Sequence, residues 1–218
     1  TNADQGRVFA EQIGGRFHAV DVSDAASVAQ GMAEVKSAQG GLDVLVNCAG
    51  IGPAAKTVSR GMPHDPALFT MVVGINLTGS FICASQAAAL MQERPADTPD
   101  GERGVIVHTA SVAAYEGQMG QAAYAASKGG IVGMTLPMAR DLAASGIRVC
   151  AIAPGLFLTP LLAGLPEEVQ SSLGQQVPFP PRLGDPDEFA ATACHIMENR
   201  MLNGEVIRLD GAIRMAPR

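Results

Sequence analysis

Tryptophan is absent from this 218-residue sequence, and aromatic residues make up only 4% of it. Charged residues are also sparse, at 17%, whereas 47% of the chain is hydrophobic. A disordered protein needs low hydrophobicity and high charge, so this composition excludes one. Acidic residues (21) outnumber basic residues (15), and the resulting formal charge of −6 argues against direct binding to nucleic acid.

Patterns for disulfides, metal sites and membrane spans are missing as well. Cys48, Cys83, Cys150 and Cys194 form no C-x-x-C pair, and no cluster has zinc-ligand spacing, so we expect buried free thiols and no metal site. Gly, Pro, Ser or Gln interrupts the apolar stretches before the ~18 residues of a membrane span, so we expect no membrane partner. Because no signal-peptide pattern opens the sequence, we expect a cytoplasmic protein, or one of the mitochondrial matrix if the source is eukaryotic.

What the sequence does contain is an alternation of strand and helix patterns. Short apolar runs predict strands buried in a parallel sheet, and apolar residues at helical spacing predict the helices between them. This order predicts an α/β fold, with one doubly wound parallel sheet between two helix layers in a single domain spanning 1–218. The predicted strands are 17–22, 42–48, 104–109, 147–152 and 204–209, and the predicted helices are 3–13, 24–38, 66–93, 121–144 and 186–198.

Residues at the carboxyl ends of these strands are candidates for a site, because open parallel sheets bind ligands there. They are Asp21 with Val22, and the runs 47–50, 108–111 and 153–159. The last run opens a proline-rich excursion, 153–185, and irregular segments of that length in compact domains are usually functional. We therefore expect 153–185 to be a lid or a binding loop.

Tyr124 and Lys128 carry the strongest chemical signal. They lie one turn apart on a predicted helix, so both side chains share one face. A free tyrosine has a pKa of about 10 and is a poor base, but a neighbouring ammonium group favours its phenolate. Ser111 lies between a strand end and this helix, where its hydroxyl can bond a substrate carbonyl while Tyr124 transfers the proton. The Tyr-x-x-x-Lys spacing alone also occurs on many surface helices.

Four motifs together resemble the short-chain dehydrogenase/reductase family. They are Asn-Cys-Ala-Gly at 47–50, Asn-Leu-Thr-Gly-Ser-Phe at 76–81, Ser111 with Tyr-Ala-Ala-Ser-Lys at 124–128, and Ala-Pro-Gly at 153–155. The longer runs 109–142 and 203–215 are similar to one branch of that family, the type 2 3-hydroxyacyl-CoA dehydrogenases, also called 17β-hydroxysteroid dehydrogenases type 10.

This resemblance implies a Rossmann-like fold and reversible hydride transfer between NAD and a 3-hydroxyacyl-CoA. The alternatives are a 3-oxoacyl thioester reductase or a hydroxysteroid dehydrogenase. An acyl-CoA-type small molecule would be the substrate, and 153–185 would be its binding loop. The resemblance also implies a homotetramer formed through 66–93, 121–144 and the C-terminal segment.

The resemblance further implies residue roles at matching positions. Tyr124 would be the general base, and Lys128 would lower its pKa and hold the nicotinamide ribose. Ser111 would bind the substrate oxygen, and Asn76 would hold a water that relays protons from Lys128. The implied cofactor contacts are Asp21, Val22, Asn47, Cys48, Ala49, Gly50, Pro154, Gly155, Phe157 and Thr159, beside Tyr124 and Lys128, and the implied substrate contacts are Ser111, Gln118, Tyr124 and Leu158.

Some of these positions have a simpler interpretation. Asp21 would then be a strand-end carboxylate, Cys48 would contribute only backbone and bulk, and Asn76 would be an ordinary helix-bonded asparagine. Two positions depart from the family pattern. His108 stands where asparagine is common, and Leu158 stands where a small residue is expected, which would narrow the pocket beside the nicotinamide.

The family's opening strand, glycine-rich turn and helix, which bind the pyrophosphate, have no counterpart near residue 1. We expect the sequence to begin about one strand–helix–strand unit into the domain, with the absent strands falling between 17–22 and 42–48. The residue that usually decides between NAD and NADP lies in that unit. Either the sequence is a fragment of a normal enzyme, or a short natural chain serves as a non-catalytic assembly subunit. An intact natural mass of 22.4 kDa would contradict the first hypothesis.

Overall fold

A four-stranded parallel sheet forms the centre of the computed structural model, which describes residues 3–96, 98–164 and 166–217. The two central strands are buried along almost their whole length, as expected for continuous apolar runs that are covered on both faces. Each neighbouring pair of strands is parallel. The sheet order is β1 (Val44–Asn47), β4 (Gly104–Thr109), β5 (Ile147–Pro154) and β6 (Val206–Leu209), and a separate hairpin consists of β2 (Val58–Ser59) and β3 (Met62–Pro63).

Helices cover both faces of this sheet, which confirms the predicted doubly wound α/β architecture. On one face, Ala84 and Met138 share an apolar cluster with Ile106. On the other face, Ile196 shares a cluster with Ile152. The helices are α1 (Ala3–Gln12), α2 (Ala25–Gln39), α3 (Pro66–Val73), α4 (Ser80–Gln92), α5 (Ala122–Leu142), α6 (Pro160–Ala163), α7 (Glu167–Gly174) and α8 (Pro186–Glu198).

The parallel register brings the carboxyl ends of the strands to one edge of the sheet. Asn47 of β1 is paired with His108 of β4, and His108 is paired with Ala151 of β5. The chain segments that follow β1, β4 and β5 therefore emerge side by side. This is the edge on which the sequence places its candidate residues.

Several predicted boundaries agree with the structure. The strand 104–109 and the helix 186–198 have the predicted bounds. Helix α2 begins after Asp24, whose carboxylate caps it by accepting a hydrogen bond from the Ala26 N–H. The predicted helix 66–93 is a continuous run made of α3, a π-helical turn at Gly74–Gly79, and α4.

The predicted strand at 17–22 is wrong. This segment is irregular, and within the described ranges no strand pairs with it, because β1 is paired with β4 alone and lies at the sheet edge. A strand pattern becomes a strand only when a neighbour supplies backbone hydrogen bonds. Here Phe17 packs over Gly6 and Val20 over Gly31, so the segment lies against α1 and α2 instead.

The excursion 153–185 is more regular than the sequence predicts. It contains α6 and α7, and a short parallel bridge between Phe157 and Gly184 closes it. The Leu158 N–H donates to the Gly184 carbonyl at 2.8 Å, and the Gly184 N–H donates to the Leu156 carbonyl at the same distance. The segment is thus a closed loop beside the carboxyl end of β5. Leu165, within it, lies outside the described residues.

Two expectations drawn from composition need correction. The helical run Pro66–Gln92 is long and apolar enough to cross a membrane, by length and composition only, so the expectation that no stretch reaches that length is wrong. Core helices pass the same test, and α4 makes the contacts of a core helix with α2, β1 and β4. Cys83 and Cys150 are buried free thiols as predicted, but Cys48 and Cys194 are exposed.

Candidate active site

Ser111 lies just beyond the carboxyl end of β4 and is 8% exposed. Its hydroxyl oxygen accepts a hydrogen bond from the Ala113 N–H at 3.1 Å and so caps the 3₁₀ turn Val112–Ala114. The hydroxyl also lies close enough to the phenol of Tyr124 on α5 to lower the pKa of that phenol. The fold therefore brings together Ser111, predicted to bind the substrate oxygen, and Tyr124, predicted to transfer the proton.

Lys128 follows one turn after Tyr124 and is only 5% exposed. Its Nζ donates to the Thr109 carbonyl at 2.6 Å and lies 5.8 Å from the centroid of the Tyr124 ring. Burial disfavours the ammonium form and lowers the pKa of Lys128 to about 8. At neutral pH the side chain therefore remains mostly a cation, held by the end of β4.

The pKa of Tyr124 does not move in the direction that the sequence predicts. Burial raises it, because the phenolate loses its hydration, and the nearby Ser111 hydroxyl only partly opposes this effect. The Lys128 ammonium group lies over the Tyr124 ring, but it donates its hydrogen bond to the Thr109 carbonyl and not to the phenol oxygen. In this structure the phenol is thus kept protonated.

Asn76 lies in the π-helical turn and is fully buried. Its Oδ1 accepts from the Ile51 N–H at 2.8 Å, and its Nδ2 donates to the Ile51 carbonyl at 2.8 Å and to Ser127 Oγ at 3.0 Å. The side chain therefore both accepts a hydrogen bond from the loop after β1 and donates one to it, and its bond to Ser127 connects that loop to α5. π-turns of this kind are often found at functional sites. The water-relay role of Asn76 stays a prediction.

Asn47 and His108 form a buried polar pair beneath the site. Asn47 Nδ2 lies 3.1 Å from both the Ser80 carbonyl oxygen and His108 Nδ1. Its side chain thus has protein partners, which leaves its backbone for the predicted cofactor contact. Burial, and secondarily the charge of Lys128, lowers the pKa of His108 to about 4, so this imidazole is neutral at neutral pH.

The segment after Asn47 is open to solvent at Cys48, Ala49 and Gly50. A Cβ at Gly50 would lie 3.2 Å from Asn76 Oδ1 and 3.8 Å from Lys128 Nζ. Because glycine has no side chain, a path along the backbone at Gly50 stays open to the buried Lys128. Cys48 borders the same path, since its Sγ accepts from Thr109 Oγ1 at 3.8 Å.

Asp21 and Val22 lie in the irregular segment just before α2. The Asp21 carboxylate accepts from both the N–H and the hydroxyl of Ser23, at 2.9 and 2.7 Å, and these bonds lower its pKa. It therefore holds the turn before α2, which is its simpler interpretation. Val22 packs against Gly79, where a Cβ would lie 2.9 Å from Val22 Cγ2.

The residues after β5 divide into two groups. Pro154 and Gly155 are fixed to the sheet, since the Gly155 N–H donates to the Leu209 carbonyl and a Cβ there would lie 3.0 Å from Asp210 Cα. The Phe157 ring packs against Gly184 and thus faces its own loop. Leu158 is 41% exposed, and Thr159 is exposed beside it.

Gln118 has a different partner from the predicted one. Its Nε2 donates to the Ala216 carbonyl at 3.1 Å, so the side chain binds the C-terminal segment. The predicted substrate contact would require that bond to break.

The described residues fit the nicotinamide and ribose half of a dinucleotide. The exposed backbone at 48–50 lies beside the buried Lys128, and Gly50 has no side chain to block the approach. Gly50, Lys128 and Tyr124 are the residues that would hold this half. Among the residues described, no three His, Cys, Asp or Glu side chains are grouped as metal ligands would be.

Two residues of the site were missed by sequence reasoning. Ser127 is fully buried, receives the bond from Asn76 and donates to the Tyr124 carbonyl at 2.7 Å. It lies three positions after Tyr124, so helical spacing could have found it. Thr109, whose carbonyl holds Lys128, acts through its backbone and gives no side-chain signal.

Comparison with known proteins gives relatives along almost the whole chain. The family model described as enoyl-(acyl carrier protein) reductase matches residues 1–213. The 3-hydroxyacyl-CoA dehydrogenase type-2 of Homo sapiens is 54% identical over 97% of this chain and 82% of its own length, and that of Rattus norvegicus is 52% identical over 98% and 83%. The crystal structure of 3-hydroxyacyl-CoA dehydrogenase type-2 from Mycobacterium avium is 41% identical, with a TM-score of 0.94 over 100% of this chain and 85% of that one.

Proposed function

Because the chain belongs to the short-chain dehydrogenase/reductase family, we propose that it transfers a hydride reversibly between NAD and a 3-hydroxyacyl-CoA, which becomes the 3-oxoacyl-CoA. The observation that supports this most strongly is the group formed by the buried Ser111 and Lys128 and the half-buried Tyr124 at the carboxyl edge of the sheet. A hydroxyl, a phenol and an ammonium group arranged in this way can bind and deprotonate a secondary alcohol.

Each of these residues has a distinct task in the proposed reaction. Ser111 Oγ bonds the substrate oxygen, and Tyr124 Oη removes the hydroxyl proton as the C–H bond breaks. Bound NAD would supply the acceptor for the hydride and a positive charge close to the phenol. Lys128 holds its ammonium group on the same helix face, so a shift of its Nζ from the Thr109 carbonyl towards Tyr124 would favour the phenolate.

The substrate class rests on the relatives and on the closed loop 153–185. The human and rat relatives are named for action on 3-hydroxyacyl-CoA, and they match nearly all of this chain. Leu158 and Thr159 project from this loop next to the strand end. We infer that the acyl chain lies along this loop and that Leu158 limits the space beside the reacting carbon.

The test compares the turnover of three substrates by the purified protein with NAD. The rate is measured from the absorbance of the NADH that forms. A short 3-hydroxyacyl-CoA, the free 3-hydroxy acid without CoA, and a 17β-hydroxysteroid separate the alternatives. The proposal expects turnover with the thioester and much less with the free acid. Turnover confined to the steroid, or none with the thioester, would overturn the substrate assignment.

We further propose a homotetramer formed through α3, α4, α5 and the C-terminal segment. Large apolar side chains are exposed on these helices, among them Phe69 (39%), Phe81 (50%) and Leu136 (44%), as is common at subunit interfaces. Phe81→Asp should then reduce the mass in solution, measured by light scattering, to that of a smaller assembly. An unchanged mass would contradict this interface.

We also propose that the protein is located in the cytoplasm, or in the mitochondrial matrix if the source is eukaryotic. Fractionation of source cells tests this location.

A further inference from the structure

The segment that joins Ser111 to Tyr124 must hold a fixed conformation if the two side chains are to act together. Only its start is regular, as the 3₁₀ turn Val112–Ala114, and residues 115–121 form an irregular loop. Within this loop the backbone hydrogen bonds are local turns, from the N–H groups of Tyr115 and Glu116 to the Val112 carbonyl and from Gln121 to Gln118, and such turns leave the position of the loop to contacts with other elements. The conformation of this loop must therefore depend on contacts with the rest of the chain.

Four charged side chains provide such contacts, and we term them the Glu116–Arg208 cluster: Glu116, Arg208, Asp210 and Arg214. Arg208 donates from Nη1 and Nη2 to the two oxygens of Glu116, at 2.8 and 2.9 Å, and from Nε to Asp210 Oδ2 at 2.8 Å. Arg214 donates from Nη1 to Asp210 Oδ2 at 3.2 Å, and its Nε lies 3.5 Å from Glu116 Oε1. Two cations and two anions thus balance within the cluster.

Three of the four side chains in the cluster are largely shielded from solvent, whereas Arg214 is 61% exposed. The side chain of Arg208 is 22% exposed, that of Glu116 24% and that of Asp210 8%. Two-pronged arginine–carboxylate bonds of this kind are stronger and more directional than exposed single contacts. The Tyr115 ring adds a further contact, 5.0 Å from Arg208 Cζ.

The cluster joins the loop to the sheet itself. Arg208 belongs to β6 and is paired with Ala153 near the end of β5, next to the proposed substrate loop. A second attachment lies close by along the chain, where Gln118 Nε2 and the Met119 N–H donate to the carbonyls of Ala216 and Pro217. The loop is thus fastened to the C-terminal part of the chain at two places.

We propose that the Glu116–Arg208 cluster positions the active site, because it holds the loop in the conformation that keeps Ser111 against Tyr124. Glu116 and Arg208 are positioning residues in this account, since they act through the loop. The inference rests on the proposed dehydrogenase function. If it is correct, the segment from Arg208 to Pro217 affects turnover although it does not contact the reacting atoms.

The test replaces Glu116 by Gln, which keeps the size of the side chain and removes its charge. The matched control is Asp43→Asn, which removes the carboxylate of the Arg94–Asp43 pair (2.9 Å) before β1, at the opposite end of the strands. Small displacements of reacting groups reduce rates strongly, so we expect kcat to fall about ten-fold or more in Glu116→Gln, with the KM for NAD within about two-fold. Glu116→Asp should recover part of kcat, and Asp43→Asn should match the wild type.

Amide hydrogen exchange supplies a readout that does not depend on activity. We expect the amides of 112–121 to exchange about ten-fold faster in Glu116→Gln, with no such change in Asp43→Asn. An unchanged kcat in Glu116→Gln, whether or not exchange accelerates, would overturn the inference. A parallel loss of kcat and NAD affinity that follows the unfolded fraction would also overturn it. If the wild type fails to oxidise a 3-hydroxyacyl-CoA, the proposed function fails, and unchanged exchange at 112–121 in Glu116→Gln would separately refute the cluster.

Discussion

Lys128 should lower the stability of the fold, and the size of this cost follows from its pKa. Burial lowers that pKa from 10.5 to about 8. One pKa unit corresponds to about 1.4 kcal/mol, so the shift amounts to roughly 3 kcal/mol. Between pH 8 and 10.5 the unfolded chain binds more protons at this position than the folded chain does. The free energy of unfolding therefore rises with pH across this window, and the full cost is present below pH 8.

Lys128→Met removes the titrating group and keeps a long side chain. At pH 7 the variant gains stability because the buried charge is gone. Part of this gain is lost, because the Thr109 carbonyl no longer accepts a hydrogen bond from a charged donor, which costs about 1.5–3 kcal/mol. The clearer result is in the pH dependence. Relative to the variant, the wild type should become more stable by about 3 kcal/mol between pH 7 and 10.5. Urea unfolding at several pH values measures this difference. Parallel pH profiles for the two proteins would refute the reasoning.

Three further predictions concern the surroundings of that lysine. The pKa of His108, lowered to about 4, means that the wild type loses roughly 3 kcal/mol of stability as pH falls from 6.5 to 4, and urea unfolding of His108→Asn should lack this loss. Ser111→Ala should reduce kcat/KM for the thioester about a hundred-fold, in steady-state assays, because the substrate oxygen loses its donor; a loss below about three-fold would contradict the assigned role. Gly50→Ala should weaken NAD binding in calorimetry, since its Cβ would lie 3.2 Å from Asn76 Oδ1, whereas Gly133→Ala, with nothing within 4 Å, should not.

The parts of the fold that sequence predicted well are those encoded locally. The strand 104–109 is a continuous apolar run, and the helix 186–198 begins at a capping box formed by Asp185 and Glu188. The segment 17–22 has an equally good strand pattern, but its state depends on a neighbouring strand. Pairing is a property of the whole sheet, so a local pattern does not determine it.

The candidate site shows the same division. Tyr124 and Lys128 share one helix face, so their spacing reveals them. The π-turn around Asn76 has the composition of an ordinary helix, and only the structure shows its two bonds to Ile51. Glu116 and Arg208 are 92 residues apart in sequence, and no periodicity connects them. Burial raises the pKa of Tyr124, and spacing along a helix shows neither that burial nor the bond by which the Thr109 carbonyl holds the Lys128 ammonium group.

The measurement that tests the central claim most directly is the turnover of Tyr124→Phe with NAD and a short 3-hydroxyacyl-CoA. The variant keeps the ring and removes only the phenol oxygen that would take the proton. The account predicts a fall in kcat of about a thousand-fold or more, with the affinity for NAD, measured by calorimetry, within about two-fold of the wild type. Turnover close to that of the wild type would contradict the claim that Tyr124 is the general base.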